Sequence, residues 1–189
     1  MREILFRGKR IDNGEFAYGF WCKKYFHEPP HDRCVIQYKT EYDAHRWTPD
    51  YMVAEVIPET VGQFTGLYDN TKWEELTVDE QAEFLYPKDG GKHSKEEWKG
   101  KPIFEGDIIK ASFTVAGHEN GCYAIGYIVY EEDGFKVRVT MSHNASKHAE
   151  YTSKNQSSYY IVHNFLERNY SIKIIGNRHD NPELLGGVE

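Results

Sequence analysis

The sequence predicts a mainly β (α+β) protein, and three observations carry that prediction. Its 16 glycines are spread singly along 189 residues, as suits strands and turns better than a helical bundle. Alternation of apolar and polar residues with a period of two recurs in short runs, most clearly over 109–115 and 135–141. Aromatic residues make up 15% of the chain, with 14 Tyr and 10 Phe. Each buries a large area, so a compact core is attainable at only 39% hydrophobic content. The length suits one domain of moderate size, or a small domain with an elaborate insertion.

Ile4 to Phe6 predicts a short first strand. The turn signal Asp12-Asn13-Gly14 precedes a second at Phe16 to Trp21, which makes an N-terminal hairpin. Pro29-Pro30 enforces an extended loop before strands at Cys34 to Tyr38 and Met52 to Ile57. Residues 71–99 differ in kind. Thr77 and Glu80 form a capping box, with Asp79, Glu80 and Glu83 near the positive end of the helix dipole. Val78, Ala82 and Leu85 then share one apolar face, and Lys88-Asp89-Gly90-Gly91 stops the helix. Ser94 with Glu97 repeats the box before Trp98, so the stretch is predicted as a helical insertion.

After it the β pattern returns. Ile109, Ala111, Phe113 and Val115 share one face of a strand entered through Gly106-Asp107. Tyr123 to Tyr130 is apolar on both faces, as in a central strand or one at an interface. Glu132-Asp133-Gly134 predicts a hairpin turn, followed by Phe135, Val137, Val139 and Met141 alternating with polar residues. Ser142 to Ser158 is polar and predicts a mobile loop. Tyr159 to Val162 and Ser171 to Gly176 supply closing strands, with a helical turn around Asn164 to Arg168. Asn181 caps a last turn started by Pro182 and stopped by Gly186. Strands of this number and length describe a small barrel, and no internal repeat is visible.

One motif is interrupted. Thr60-Val61-Gly62-Gln63-Phe64-Thr65-Gly66-Leu67-Tyr68-Asp69 is resumed at Gly100-Lys101-Pro102-Ile103-Phe104-Glu105-Gly106-Asp107-Ile108-Ile109. Joined, the halves resemble the central motif of the YopX family, small proteins of phages and prophages of Gram-positive bacteria. Phe6-Arg7-Gly8-Lys9, Gly176-Asn177 and Asn181-Pro182-Glu183-Leu184-Leu185 agree with it, so the resemblance frames almost the whole chain. It implies an SH3-like β-barrel, with an N-terminal β extension and the helical insertion added. The organisation expected is then a β-rich part over 1–70, the insertion over 71–99 and the barrel part over 100–189.

Charge and composition narrow the function. Lys and Arg number 23 against 30 Asp and Glu, a net charge of −7 that disfavours a general nucleic-acid binder. No apolar run reaches signal-peptide or membrane-spanning length, so no membrane association is expected and the cytoplasm of a bacterial host is the predicted location. Three cysteines do not make a disulfide framework. Cys22, His27, His31 and Cys34 have ligand types that suit zinc, but no closely spaced Cys pair. Solvated histidines and buried thiols explain them as well, and no metal or cofactor is assigned.

Glu105-Gly106-Asp107 offers two carboxylates, yet Gly106 suits a bend and Asp107 a turn hydrogen bond. His179-Asp180, with Asn177 and Asn181, suggests a polar pocket or merely a turn. No phosphate-binding glycine loop, nucleophile elbow or metalloprotease helix is present, so no catalytic residue is nominated. The expectation is a phage or prophage accessory protein that is not an enzyme. Its expected role is a protein-interaction module with an unknown phage or host partner, able to self-associate as a homo-oligomer. The alternative is a nucleic-acid-associated factor, for which Phe135-Lys136-Val137-Arg138 beside Tyr127 and Tyr130 is the candidate surface.

Overall fold

Contiguous short strands dominate the computed structural model, which describes residues 4–28, 30, 32–39, 51–87, 91–113, 122–132, 134–144, 149–152, 158–160 and 170–186. The chain divides into two compact units, Met1–Gly66 with Thr71–Gly100, and Leu67–Asn70 with Lys101–Glu189.

In the first unit, β1 (Phe6–Lys9), β2 (Phe16–Tyr25), β3 (Asp32–Lys39), β4 (Tyr51–Glu55) and β5, which begins at Gly62 and runs to Tyr68, form an antiparallel sheet in the order β4-β3-β2-β1-β5. The predicted N-terminal hairpin is there, with β1 two residues later and β2 four residues longer than the sequence pattern suggested. Its core is Ala17, Ile36, Ala54 and Val56, flanked by Phe6, Cys34, Tyr38 and Val61. Two glycines let strands approach. A Cβ on Gly19 would lie 2.2 Å from the Gln37 carbonyl oxygen, and one on Gly8 3.0 Å from Val56.

Residues 71–100 of this unit carry helix α1 (Val78–Leu85), whose capping box is complete. The Thr77 hydroxyl accepts the Glu80 N–H at 3.2 Å, and Glu80 Oε2 accepts the Thr77 N–H at 2.8 Å. The buried side of the helix differs from expectation. Val78 is 80% exposed and Ala82 is exposed, whereas Gln81, Phe84 and Leu85 are half-buried. The cause is the neighbouring rings. Phe84 meets Trp98 edge-on at 5.1 Å and Trp73 at 5.8 Å, a larger apolar gain than Val78 or Ala82 offers. Trp98 Nε1 donates to the Thr71 carbonyl at 2.8 Å, tying the two ends of the segment together.

The second unit holds β6 (Pro102–Phe104), β7 (Asp107–Phe113), β8 (Cys122–Glu131), β9 (Gly134–Asn144), β10 (Ala149–Thr152), β11 (Ser158–Tyr160) and β12 (Ser171–Asn177). The antiparallel order is β10-β9-β8-β7-β12, with β11 also on β9. Ile103, Ile109, Ala111, Ile128, Phe135, Val137, Val139 and Ile172 form the core.

The fold is mainly β, as predicted, but among the described residues the sheet is an open path and not a closed SH3-like barrel. The reason lies at β9. Its outer edge is taken by the returning chain, β10 opposite 141–144 and β11 opposite 136–138. Ser142 to Ser158, expected as a loop, therefore supplies the end of β9, all of β10 and the start of β11. Backbone ladder bonds do not require apolar side chains at an edge. A second correction concerns Met141. The register shifts at Ile125/Gly126, which leaves Thr140 as an extra residue in β9 and moves Met141 off the core face. Thr140 is 1% exposed, and its hydroxyl donates to the Ile125 carbonyl at 3.4 Å. Val115 and the turn expected at Asn164 to Arg168 lie outside the described residues.

Candidate functional site

The interrupted motif is rejoined in space, and its polar residues are consumed by structure. Asp69 is 3% exposed. Its Oδ1 accepts the Lys101 N–H at 2.8 Å and its Oδ2 the Ile174 N–H at 3.1 Å, while its own N–H donates to the Lys101 carbonyl at 2.9 Å. Asn70 makes a reciprocal pair with Ile172, Asn70 Oδ1 accepting at 2.6 Å and Asn70 N–H donating at 2.8 Å. Gly106 has φ +84°, the left-handed conformation expected of a glycine at a bend. Asp107, 1% exposed, accepts the Phe104 N–H at 2.8 Å. The bend also meets the C-terminal motif. Arg178 N–H donates to the Gly106 carbonyl at 2.9 Å, and Asn177 Oδ1 accepts the His179 N–H at 3.0 Å.

Asn181 starts the last turn, Pro182–Leu185, without capping it through its side chain; its Oδ1 accepts the Asn177 N–H at 3.3 Å instead. Gly186 ends that turn at φ 75°. In the first unit Thr60 is equally structural, its hydroxyl accepting the Lys9 N–H at 2.8 Å and donating to the Ile57 carbonyl at 2.7 Å. These residues hold turns and strands in register.

Cys22 and Cys34 do not converge. In the β2–β3 register Cys22 faces Val35 and Cys34 faces Lys23, so the two thiols project from opposite sides of the sheet. Cys34 Sγ accepts the Trp21 Nε1–H at 2.7 Å. His31 lies outside the described residues, and among the described ones no three potential ligands cluster.

The first unit contains a cleft of about 480 Å³, walled by Phe16, Tyr18, Phe20, Tyr38 and Tyr51 with Gly19 between them. Phe20 is 62% exposed, Tyr51 53% and Tyr18 48%. Arg10, Glu15, Gln37 and Glu83 supply its polar margin. Arg10 is engaged by Asp12, Nε to Oδ1 at 2.8 Å and Nη2 to Oδ2 at 2.5 Å. That hydrogen bond raises the guanidinium pKa and lowers the Asp12 carboxyl below its usual range. Glu15 accepts from Asn13 Nδ2 at 3.0 Å. The arrangement presents rings with polar tips, which suits a partly wet contact. Nothing in residue order announced it, because the cleft needs β2, β3 and β4 side by side with residues of the 71–100 segment.

Of the expected basic and aromatic surface, Phe135 points into the core at 8% exposure, while Lys136 and Arg138 project from the other face. Arg138 pairs with Glu131, which raises its guanidinium pKa, and also donates to Tyr127.

No helix of the described residues is long and apolar enough to cross a membrane. Residues 96–186 match the family model described as YopX protein, a span that covers β6 to β12. No curated protein and no solved structure matches the chain.

Proposed function

From the match of residues 96–186 to the YopX family model, we propose that this protein is a phage or prophage accessory protein of the host cytoplasm, acting as a non-catalytic protein-interaction module. The observation that carries the reading is the aromatic cleft. Exposed Tyr18, Phe20 and Tyr51 wall one hollow of the first unit rather than lying scattered, and clustered exposed rings mark contacts. A non-catalytic role is supported by the use already made of the polar groups. The motif carboxylates Asp69 and Asp107 accept backbone N–H groups, and Arg10 and Glu15 are held by Asp12 and Asn13.

The test is affinity capture from phage-bearing host cells, paired with light scattering over a concentration series. A partner retained by the unaltered protein and lost by Phe20→Ser supports the reading, as does a mass above the 22.1 kDa of one chain that Phe20→Ser reduces. A protein that stays one chain and retains no partner is not an interaction module.

A further inference from the structure

The second unit carries a surface of opposite chemistry. Cross-strand register sets Lys173, Lys110, Ile125 and Met141 in one row, and Ser171, Ser112, Tyr123 and His143 in the next, all on the side facing away from the core. Lys110 and Lys173 stand directly opposite each other on antiparallel strands, a placement that disfavours the sheet by itself. The Lys110 ammonium lies 4.3 Å from the Tyr123 ring centroid, and Tyr123 stacks with His143 at 5.2 Å and 18°. The Arg178 guanidinium lies 5.9 Å from the Tyr127 ring.

Lys136 and Arg138 share this face and are neutralised by Glu132 and Glu131. Among the described residues Lys110 and Arg178 have no carboxylate partner. A chain of net charge −7 thus concentrates cations and aromatic rings on one face of one sheet, which is segregation and not average composition. We propose that this face binds single-stranded nucleic acid, with Lys110, Lys173 and Arg178 on phosphates and Tyr123, His143 and Tyr127 against bases. Half-exposed rings on a sheet face can stack on splayed bases, which a single strand offers and an intact duplex does not.

The experiment is fluorescence anisotropy with labelled 20-nucleotide thymidine and uridine strands over a salt series. Binding is expected at low salt, with a log–log slope of about −2 for three phosphate contacts. Lys110→Glu with Arg178→Glu should weaken it by about tenfold or more, since two contacts are reversed in sign. Tyr123→Ala should weaken it without changing the slope. Phe20→Ser, which tests the cleft of the first unit, should leave it unchanged, so the two readings fail separately. Should the double charge reversal not fold, Lys110→Gln and Arg178→Gln alone should each shrink the slope. No binding at the lowest salt, unaltered affinity in the charge variants, preference for duplex, or equal competition by polyglutamate would each overturn the proposal.

Discussion

Two closures, one in each unit, use different physics. In the second, a single buried carboxylate, Asp69, holds backbone groups at Lys101 and Ile174, the latter 105 residues away. In the first, residues 71–100 are gathered by three rings, Trp73, Phe84 and Trp98, and by an exposed ion pair of Lys95 with Glu74 at 2.9 Å. A buried acceptor is directional and leaves its donors stranded when removed. Ring packing is distributed over many weak contacts and degrades gradually. Polar loss in the second unit should therefore cost more than apolar loss of greater volume in the first.

The sharpest way to break that comparison is Asp69→Ala, which strands two partly buried N–H groups at about 1–3 kcal/mol each. Chemical denaturation should show a loss of about 3–4 kcal/mol; a loss under about 1 kcal/mol would mean the tie is not what closes the unit. Trp98→Ala, at a half-buried site, should cost about 2 kcal/mol, below the range for a fully buried ring. Gly106→Val comes next. Its φ of +84° resists a β-branched residue although the nearest atom to a new Cβ is 3.4 Å away, so the expected cost of about 1–2 kcal/mol is conformational.

Replacing Thr71–Lys99 by a two-residue turn between Asn70 and Gly100 should leave the second unit's melting cooperative, because its core includes no residue of that segment. Loss of that cooperativity would remove the idea of an insertion. The smallest effect is that of pH. Glu74 is lowered by its hydrogen bond from Lys95, and Asp12 by that from Arg10. A depressed carboxylate stabilises above its unfolded pKa and ceases to as pH falls through the folded one, so the melting temperature should drop between about pH 5 and 3. Glu74→Gln should flatten the drop slightly, since exposed pairs contribute little. A melting temperature that rises on acidification would contradict the sign.

Residue order alone determined what depends on neighbours a few positions apart. The Thr77–Glu80 capping box, the hairpin at Asp12-Asn13-Gly14 and the bend at Gly106-Asp107 are all closed by local hydrogen bonds. Strand positions followed from the two-residue period, and their ends drifted because edge backbone bonds ignore side-chain polarity. What only the tertiary structure decided depends on register and distant partners. Phe84 rather than Val78 is drawn inward by Trp73 and Trp98, and Thr140 bulges out to turn Met141 from the core. β10 and β11 both occupy the outer edge of β9, which leaves the sheet open. The cleft at Phe20 and the lysine pair at 110 and 173 belong to the same class. A one-residue slip would turn either lysine to the other face, and no local pattern specifies which residue lies across the sheet.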